Sequence, residues 1–168
     1  MKTRSSAPPL AFPLTAGGHW SLAASTPETF DLIVFYRGLH CPLCRRQLAE
    51  LETALDTLSS LGVEAVAVSM DTAEKAETAA RDWNLKRLRL GHGLAQADAR
   101  RWGLFLSAAI REGEPPVFSE PGLFLVKPDK TLFYAGINSA PWGRPHIEDI
   151  ISGIRLALER GTPARGEA

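Results

Sequence analysis

The two cysteines of the chain, Cys41 and Cys44, stand two residues apart directly after the largely apolar run Asp31–Tyr36. A run of this kind predicts a strand that is buried on both faces of a sheet. Pro42 favours the first position of a helix, because the backbone N–H that proline lacks has no intrahelical partner there. We therefore expect the pair at a strand-to-helix junction, where a dithiol can close into a disulfide and open again.

Cys41 becomes the N-cap of the predicted helix, and Cys44 lies in its first turn. A sulfur at the N-cap is close to unpaired backbone N–H groups and to the positive end of the helix dipole. These groups stabilise a thiolate and lower its pKa by about one unit or more from the usual value of about 8.5. The neighbouring His40 would add to this effect if it were protonated. We predict that Cys41 is the nucleophile and that Cys44 is the resolving thiol.

Three other interpretations of the pair are a structural disulfide, a zinc site and two inert buried thiols. A lone structural disulfide is rare in a reducing compartment. A structural zinc site needs about four ligands, and none of the four histidines has a companion at ligand spacing: His19, His40, His92 and His146. A strand-to-helix junction is also a poor place to bury inert thiols. The sequence favours redox chemistry without a metal.

Length and composition fit a single domain of 168 residues, with an apolar fraction of 45%. Its 19 basic and 19 acidic side chains balance, which gives no electrostatic footprint for nucleic acid or an anionic membrane surface. No apolar run reaches the roughly 18 residues that a membrane span needs. Prolines interrupt the first residues before an apolar signal-peptide core can form, so we expect a cytoplasmic protein. The absence of G-x-G-x-x-G and phosphate-loop motifs argues against a nucleotide cofactor.

Alternating strand and helix patterns predict an α/β fold with a mixed central sheet flanked by helices. We predict helices at 42–60, 71–83, 95–102 and 146–158, and strands at 31–36, 63–69, 88–90, 123–126 and 131–134. A capping-box pattern, Asp71 with Glu74, marks the start of the second helix. An N-terminal β-hairpin is expected from 12–14 and 19–22, and an irregular loop at 107–122. The predicted domain spans residues 12–159, between flexible tails at 1–11 and 160–168.

The segment Phe35–Leu48 resembles the active-site segment of thioredoxin-fold redox proteins. More narrowly, it resembles the peroxiredoxin-like branch of the alkyl hydroperoxide reductase/thiol-specific antioxidant (AhpC/TSA) family. The resemblance covers about residues 9–158 and includes Val68–Asp71 and Phe124–Asp129. It implies a thioredoxin-like fold and a thiol-dependent antioxidant enzyme without a cofactor. The expected partners are a peroxide or disulfide substrate, an external dithiol reductant such as a thioredoxin-like protein and, since many relatives are dimers, a second copy of the chain.

Two family registers assign different roles to the cysteines. The peroxiredoxin pattern Pro-x-x-x-Thr-x-x-Cys falls on Arg37, Cys41 and Cys44, so its proline and threonine are both replaced here. The arginine that helps peroxiredoxins bind peroxide would fall near Pro121, where it is absent. A thiol peroxidase with Cys44 as the peroxidatic residue is the first alternative, and a non-catalytic redox sensor or binding module is the second.

The thioredoxin register fits Pro121 better, because thioredoxin-like proteins keep a cis proline directly before the strand that faces the dithiol. The resemblance therefore implies a cis Pro121 that presents backbone to a bound substrate; an ordinary trans proline is the alternative. The buried acid of thioredoxins would fall on Phe35, so proton transfer to Cys44 needs His40, water or another group.

Two arginines are candidates for a positive charge near the thiolate. Arg37 follows the strand that leads to the dithiol, and Arg144 lies in a proline-rich loop before the last helix. For Arg144, capping of carbonyl groups or pairing with a carboxylate is the competing structural role.

Overall fold

The computed structural model describes residues 2–167, which contain nine strands and four α-helices. The elements follow in this order along the chain: β1 (Ala11–Pro13), β2 (His19–Ser21), β3 (Phe30–Phe35), α1 (Pro42–Ser60), β4 (Val63–Val68), α2 (Ala73–Asp82), β5 (Arg89–Gly91), α3 (Gln96–Arg101), β6 (Leu106–Ala108), β7 (Val117–Ser119), β8 (Gly122–Val126), β9 (Leu132–Ile137) and α4 (Ile147–Arg160). No helix within this described range is long and apolar enough to cross a membrane.

A five-stranded mixed sheet in the order β5-β4-β3-β8-β9 forms the centre of the molecule. Strands β3, β4 and β5 run parallel, whereas β8 and β9 join by antiparallel pairing. All six residues of the central strand β3 are buried. Its alternate side chains enter two different cores, one under α1 and α4 and the other under the β1–β2 hairpin and α3. The predicted α/β architecture with a mixed sheet is confirmed.

Helix α1 begins and ends where the sequence predicts. Cys41 is the N-cap with extended backbone angles, and Pro42 occupies the first helical position. The apolar stripe of the helix packs against the sheet through Leu48, Leu51 and Leu58, which are completely buried. The chain then turns at Gly62, whose φ of 72° lies in the left-handed region that glycine adopts readily.

Two local predictions were wrong. The N-cap of α2 is Thr72, whose hydroxyl accepts a hydrogen bond from the N–H of Lys75, and the side chain of Asp71 is used elsewhere. Residues 107–122 are not one irregular loop, because β6 and β7 form a hairpin with Ser107 opposite Phe118. The buried Phe118 ring anchors this hairpin, a long-range packing effect that the Pro- and Gly-rich pattern concealed.

The two ends of the chain, which we expected as flexible tails, make defined contacts. The N–H of Arg4 donates to the carbonyl of Leu132 at 2.8 Å, and the N–H of Leu132 donates to the carbonyl of Ser5 at 2.9 Å. The hydroxyl of Thr3 donates to the carbonyl of Arg165 at 2.8 Å. Strand β9 lies at the edge of the sheet, and the N-terminal segment satisfies part of its exposed backbone.

Glycine positions provide a test of the packing between the β1–β2 hairpin and the sheet. A Cβ atom at Gly91 would overlap the Phe12 ring, whereas a Cβ at the exposed Gly153 of α4 would meet nothing within 4 Å. Gly91→Ala should lower the free energy of unfolding by about 1–3 kcal/mol through overpacking. Gly153→Ala should raise it by about 0.5–1 kcal/mol, because alanine loses less backbone entropy in a helix. Urea unfolding measures both, and equal stabilities of the two variants would contradict this packing.

Candidate active site

The dithiol lies where β3 ends and α1 begins. Both cysteines are free thiols, and only 1% of Cys41 and 0% of Cys44 are exposed. The backbone N–H of Cys44 donates to the sulfur of Cys41 at 3.3 Å, as expected for an N-cap. The backbone N–H of Arg37 donates to the sulfur of Cys44 at 3.4 Å. Each sulfur therefore has a backbone donor of its own.

The pKa values of the two thiols are shifted in opposite directions. The pKa of Cys41 is lowered to about 6, first by the hydrogen bond from the Cys44 side chain and further by the Cys44 N–H and by two arginines, against the effect of burial. Burial and the proximity of Cys41 raise the pKa of Cys44 well above that of a free thiol. These opposite shifts favour ionisation of Cys41 before Cys44 in the reduced protein.

Arg144 reaches the dithiol and also supports its own loop. Its Nη2 lies 3.5 Å from the sulfur of Cys44, and its Nε donates to the carbonyl of Pro141 at 2.7 Å. Its Nη1 donates to the side-chain carbonyl of Gln47 at 2.8 Å. The contact with sulfur and the capping role that the sequence left as alternatives are both present. Gln47 was missed, although it follows Cys44 by three residues on the same helix face.

Arg37 lies within a cluster of acidic and aromatic side chains. Its Nε is 3.3 Å from Glu120 Oε2, and its Nη2 is 3.7 Å from Glu114 Oε1. Its guanidinium lies over the Phe118 ring, 4.6 Å from the centroid. Arg37 also contributes, by a hydrogen bond, to the lowered pKa of Cys41. Its positive charge is therefore shared between the thiolate and two carboxylates.

His40 packs beside the dithiol as a neutral ring. The imidazole meets Phe118 edge to face, with 4.8 Å between the ring centroids. Burial, and then the positive charge of Arg37, lower the pKa of His40 below its usual value. The lowered pKa disfavours the protonated ring that would be needed for His40 to stabilise the thiolate. Within residues 2–167, neither ring nitrogen has a hydrogen-bond partner.

Pro121 lies at the same edge of the sheet as the dithiol, but its peptide bond is not cis. All peptide bonds of the described residues are trans, so the expectation of a cis Pro121 was wrong. The register pairs Phe35 with Gly122, which places Pro121 beside the end of β3. Its carbonyl accepts a hydrogen bond from the N–H of Asn138 at 3.0 Å and is committed to that contact.

Asp71 is a further residue of the site that the sequence analysis misassigned. Its Oδ2 accepts a hydrogen bond from the N–H of Leu39 at 2.7 Å, in the turn that leads to Cys41. The strand order could have indicated this contact, because residues that follow neighbouring parallel strands meet at one edge of the sheet. Glu114, Phe118 and Glu120 gave no such signal, because they lie on the hairpin that we expected as an irregular loop.

The described part of the chain contains no group of three or more His, Cys, Asp or Glu side chains arranged to hold a metal ion. A small cavity of about 140 Å³ lies between the first turns of α1 and the loop that carries Arg144, and neither cysteine lines it. Its walls include Leu43, Gln47 and the exposed ring of Trp142.

Solved structures similar to this one include peroxiredoxins. Peroxidoxin BcpB from Mycobacterium tuberculosis shares 15% sequence identity, with a TM-score of 0.75 over 93% of this chain and 97% of the other. The reduced 2-Cys peroxiredoxin of Plasmodium vivax shares 15% identity, with a TM-score of 0.76 over 99% and 90% of the two chains. At these identities the likeness establishes a thioredoxin fold of the peroxiredoxin type.

Sequence comparison assigns the family. No curated protein sequence matches the chain. The family model described as the AhpC/TSA family matches residues 3–135, which include β1 to β8, both cysteines and Asp71. With most of the chain matched and with the fold of the peroxiredoxins, this protein belongs to the AhpC/TSA family.

Proposed function

We propose that the protein is a thiol-dependent oxidoreductase that cycles Cys41 and Cys44 between dithiol and disulfide. The observation that carries this proposal is the asymmetry of the pair. Cys41 is the N-cap of α1 and its sulfur accepts the N–H of Cys44 at 3.3 Å; its pKa is lowered to about 6, while burial raises the pKa of Cys44. A nucleophile and a resolving thiol need this difference in acidity, because the first must be ionised and the second held in reserve.

With a disulfide substrate, the Cys41 thiolate attacks one sulfur, and a mixed disulfide forms as the other sulfur leaves as a thiolate. Cys44 then loses its proton and attacks the sulfur of Cys41, which releases the second substrate thiolate and closes the intramolecular disulfide. The substrate gains two electrons, and the cysteine pair loses two. An external dithiol reductant, such as a thioredoxin-like protein, returns them by the reverse exchange.

With a peroxide substrate, the thiolate attacks the distal oxygen and the O–O bond breaks. The alkoxide or hydroxide takes up a proton and leaves as alcohol or water, and Cys41 becomes a sulfenic acid. Cys44 then attacks this sulfur, water leaves, and the same intramolecular disulfide forms. Both routes require an external reductant, and both suit a reducing cytoplasm, in which a lone disulfide is normally transient.

The neighbouring residues have supporting roles in this cycle. Arg144 and Arg37 stabilise negative charge on the sulfurs, and Pro42 starts the helix that presents Cys41. We assign His40, whose lowered pKa favours the neutral imidazole, as a candidate acceptor of the Cys44 proton, and Pro121, beside the end of β3, as a candidate substrate contact. The sequence contains no second cysteine pair to serve as an internal reductant.

A thiol peroxidase with Cys44 as the attacking residue is the second candidate. The specific observation in its favour is that Arg144 Nη2 and the Arg37 N–H both lie within 3.5 Å of the sulfur of Cys44. These donors would stabilise a thiolate at Cys44 if its proton moved to Cys41. A redox sensor that uses the same pair differs from both enzymes, because it would be oxidised without sustained turnover.

The test is a panel of peroxides and small disulfides applied to the reduced protein, with thiols counted before and after. We expect the loss of two thiols per chain and sustained turnover with excess dithiol reductant. In single-turnover reactions Cys44→Ser should react once and trap a mixed disulfide or sulfenic acid on Cys41, whereas Cys41→Ser should be inert. Reaction of Cys41→Ser alone would assign the attack to Cys44, and oxidation without turnover would indicate a sensor.

Arg144 provides a test of the charge that stabilises the thiolate. Arg144→Gln removes a positive charge beside the pair and should raise the pKa of Cys41 by about one unit, with a matching loss of reactivity below neutral pH. Arg45→Gln is the matched control, because Arg45 lies on the exposed face of the same helix. The pH dependence of alkylation by iodoacetamide measures both variants. An unchanged pH profile in Arg144→Gln would show that the charge of Arg144 does not stabilise the Cys41 thiolate.

A further inference from the structure

Asp71 is a buried carboxylate that the proposed cycle does not use. It lies three residues beyond the end of β4, and only 3% of it is exposed. Burial of a carboxylate is costly unless the group has a specific partner. The capping role suggested by the sequence does not supply one, because Thr72 caps α2.

The carboxylate of Asp71 contacts the turn that delivers Cys41 to α1. Its Oδ2 accepts the N–H of Leu39 at 2.7 Å. A Cβ atom on Gly38, whose φ is 130°, would lie 2.6 and 2.7 Å from the two carboxylate oxygens. The carbonyl of the same Gly38 accepts the N–H of Cys41 at 3.1 Å. The peptide group between Gly38 and Leu39 therefore contacts Asp71 through its N–H and the backbone of Cys41 through its carbonyl.

Two hydrogen bonds fix the backbone of Asp71. Its N–H donates to the hydroxyl of the buried Ser69 at 3.3 Å. Its carbonyl accepts the N–H of Gly93, beyond β5, at 2.8 Å. The end of the parallel sheet thus fixes the position of the carboxylate, and the carboxylate in turn holds the N–H of Leu39.

We propose that Asp71 is a positioning residue for the dithiol: its carboxylate fixes the turn from Arg37 to His40 and so holds the sulfur of Cys41 at the N-terminus of α1. The inference rests on the proposed function, since it assigns the role to Cys41. If Leu39 loses its acceptor, the turn relaxes and the sulfur moves away from the N–H and S–H donors of Cys44. The thiolate is then less stable, and fewer molecules are reactive at neutral pH.

Two properties of the carboxylate could act on the dithiol, its hydrogen-bond acceptor and its charge. Burial raises the pKa of Asp71, and the Leu39 N–H, Lys75 of α2 and His40 of the turn act in the opposite direction. The Tyr36 hydroxyl, at the end of β3, lies in the same buried region. Asparagine keeps the acceptor oxygen and removes the charge, whereas leucine has a similar branched shape and removes both. The two substitutions separate the acceptor from the charge.

The experiment compares Asp71→Asn and Asp71→Leu in the full-length reduced protein. The pKa of Cys41 is measured from the ultraviolet absorbance of its thiolate. Asp71→Leu should raise this pKa by about one unit, and Asp71→Asn should leave it within a few tenths. Asp31→Asn is the control, because Asp31 is an equally buried carboxylate at the opposite end of β3, bound to Ser25. It should lower stability and leave the titration of Cys41 unchanged.

A titration of Asp71→Leu that matches the wild type would overturn the proposal, as would an equal rise in Asp71→Asn. If Asp71→Leu does not fold, Gly38→Ala disturbs the same contact from the other side and should give the same rise; an unchanged pKa in that variant would equally overturn the proposal. The titration needs no substrate. A wild-type protein that titrates as expected but turns over no peroxide or disulfide therefore contradicts the proposed function and leaves the positioning role intact.

Discussion

The site depends on the hydrogen bonds that Cys44 gives to the sulfur of Cys41. One comes from the backbone N–H at the start of α1, and the other from the Cys44 thiol. Both arise from a spacing of three residues across the first helical turn, which Pro42 fixes at its start. Because the pKa of Cys41 is lowered and that of Cys44 is raised, we expect the reduced pair to carry one negative charge at neutral pH.

The sheet brings the remaining groups to this point. Strands β3 and β4 are parallel, so the residues that follow them, the turn before Cys41 and Asp71, meet at one edge. Strand β8 runs antiparallel to β3 and therefore starts at this edge, which puts Glu120 and Pro121 there. The β6–β7 hairpin then covers the turn through Phe118, against which both Arg37 and His40 pack. The segment after β4 and the segment from the β6–β7 hairpin to the start of β8 thus surround the short turn before Cys41.

Local patterns predicted the parts of this structure that local interactions determine. The apolar run of β3, the proline after Cys41 and the glycine after α1 gave the junction and the helix with their observed ends. Local sequence patterns gave wrong predictions where a contact with a distant residue determines the role of a side chain. Asp71 is preceded and followed by residues typical of a helix start, yet its carboxylate is used by Leu39, 32 residues earlier. Likewise, Glu114 and Glu120 join the site through their contacts with Arg37, and the N-terminal segment pairs with the edge of β9.

The central claim is that the reduced pair holds one proton and that the thiolate is Cys41. The most direct measurement is the ultraviolet titration of thiolate absorbance in the reduced wild type and in Cys41→Ser. Rising pH deprotonates thiols, so the wild type should gain one thiolate with a midpoint at about pH 6, and the second thiol should stay protonated to well above the pKa of a free cysteine. Cys41→Ser should lose the low step. A low step that persists in Cys41→Ser, or two wild-type thiols that titrate together near the value of about 8.5 for a free cysteine, would contradict the account.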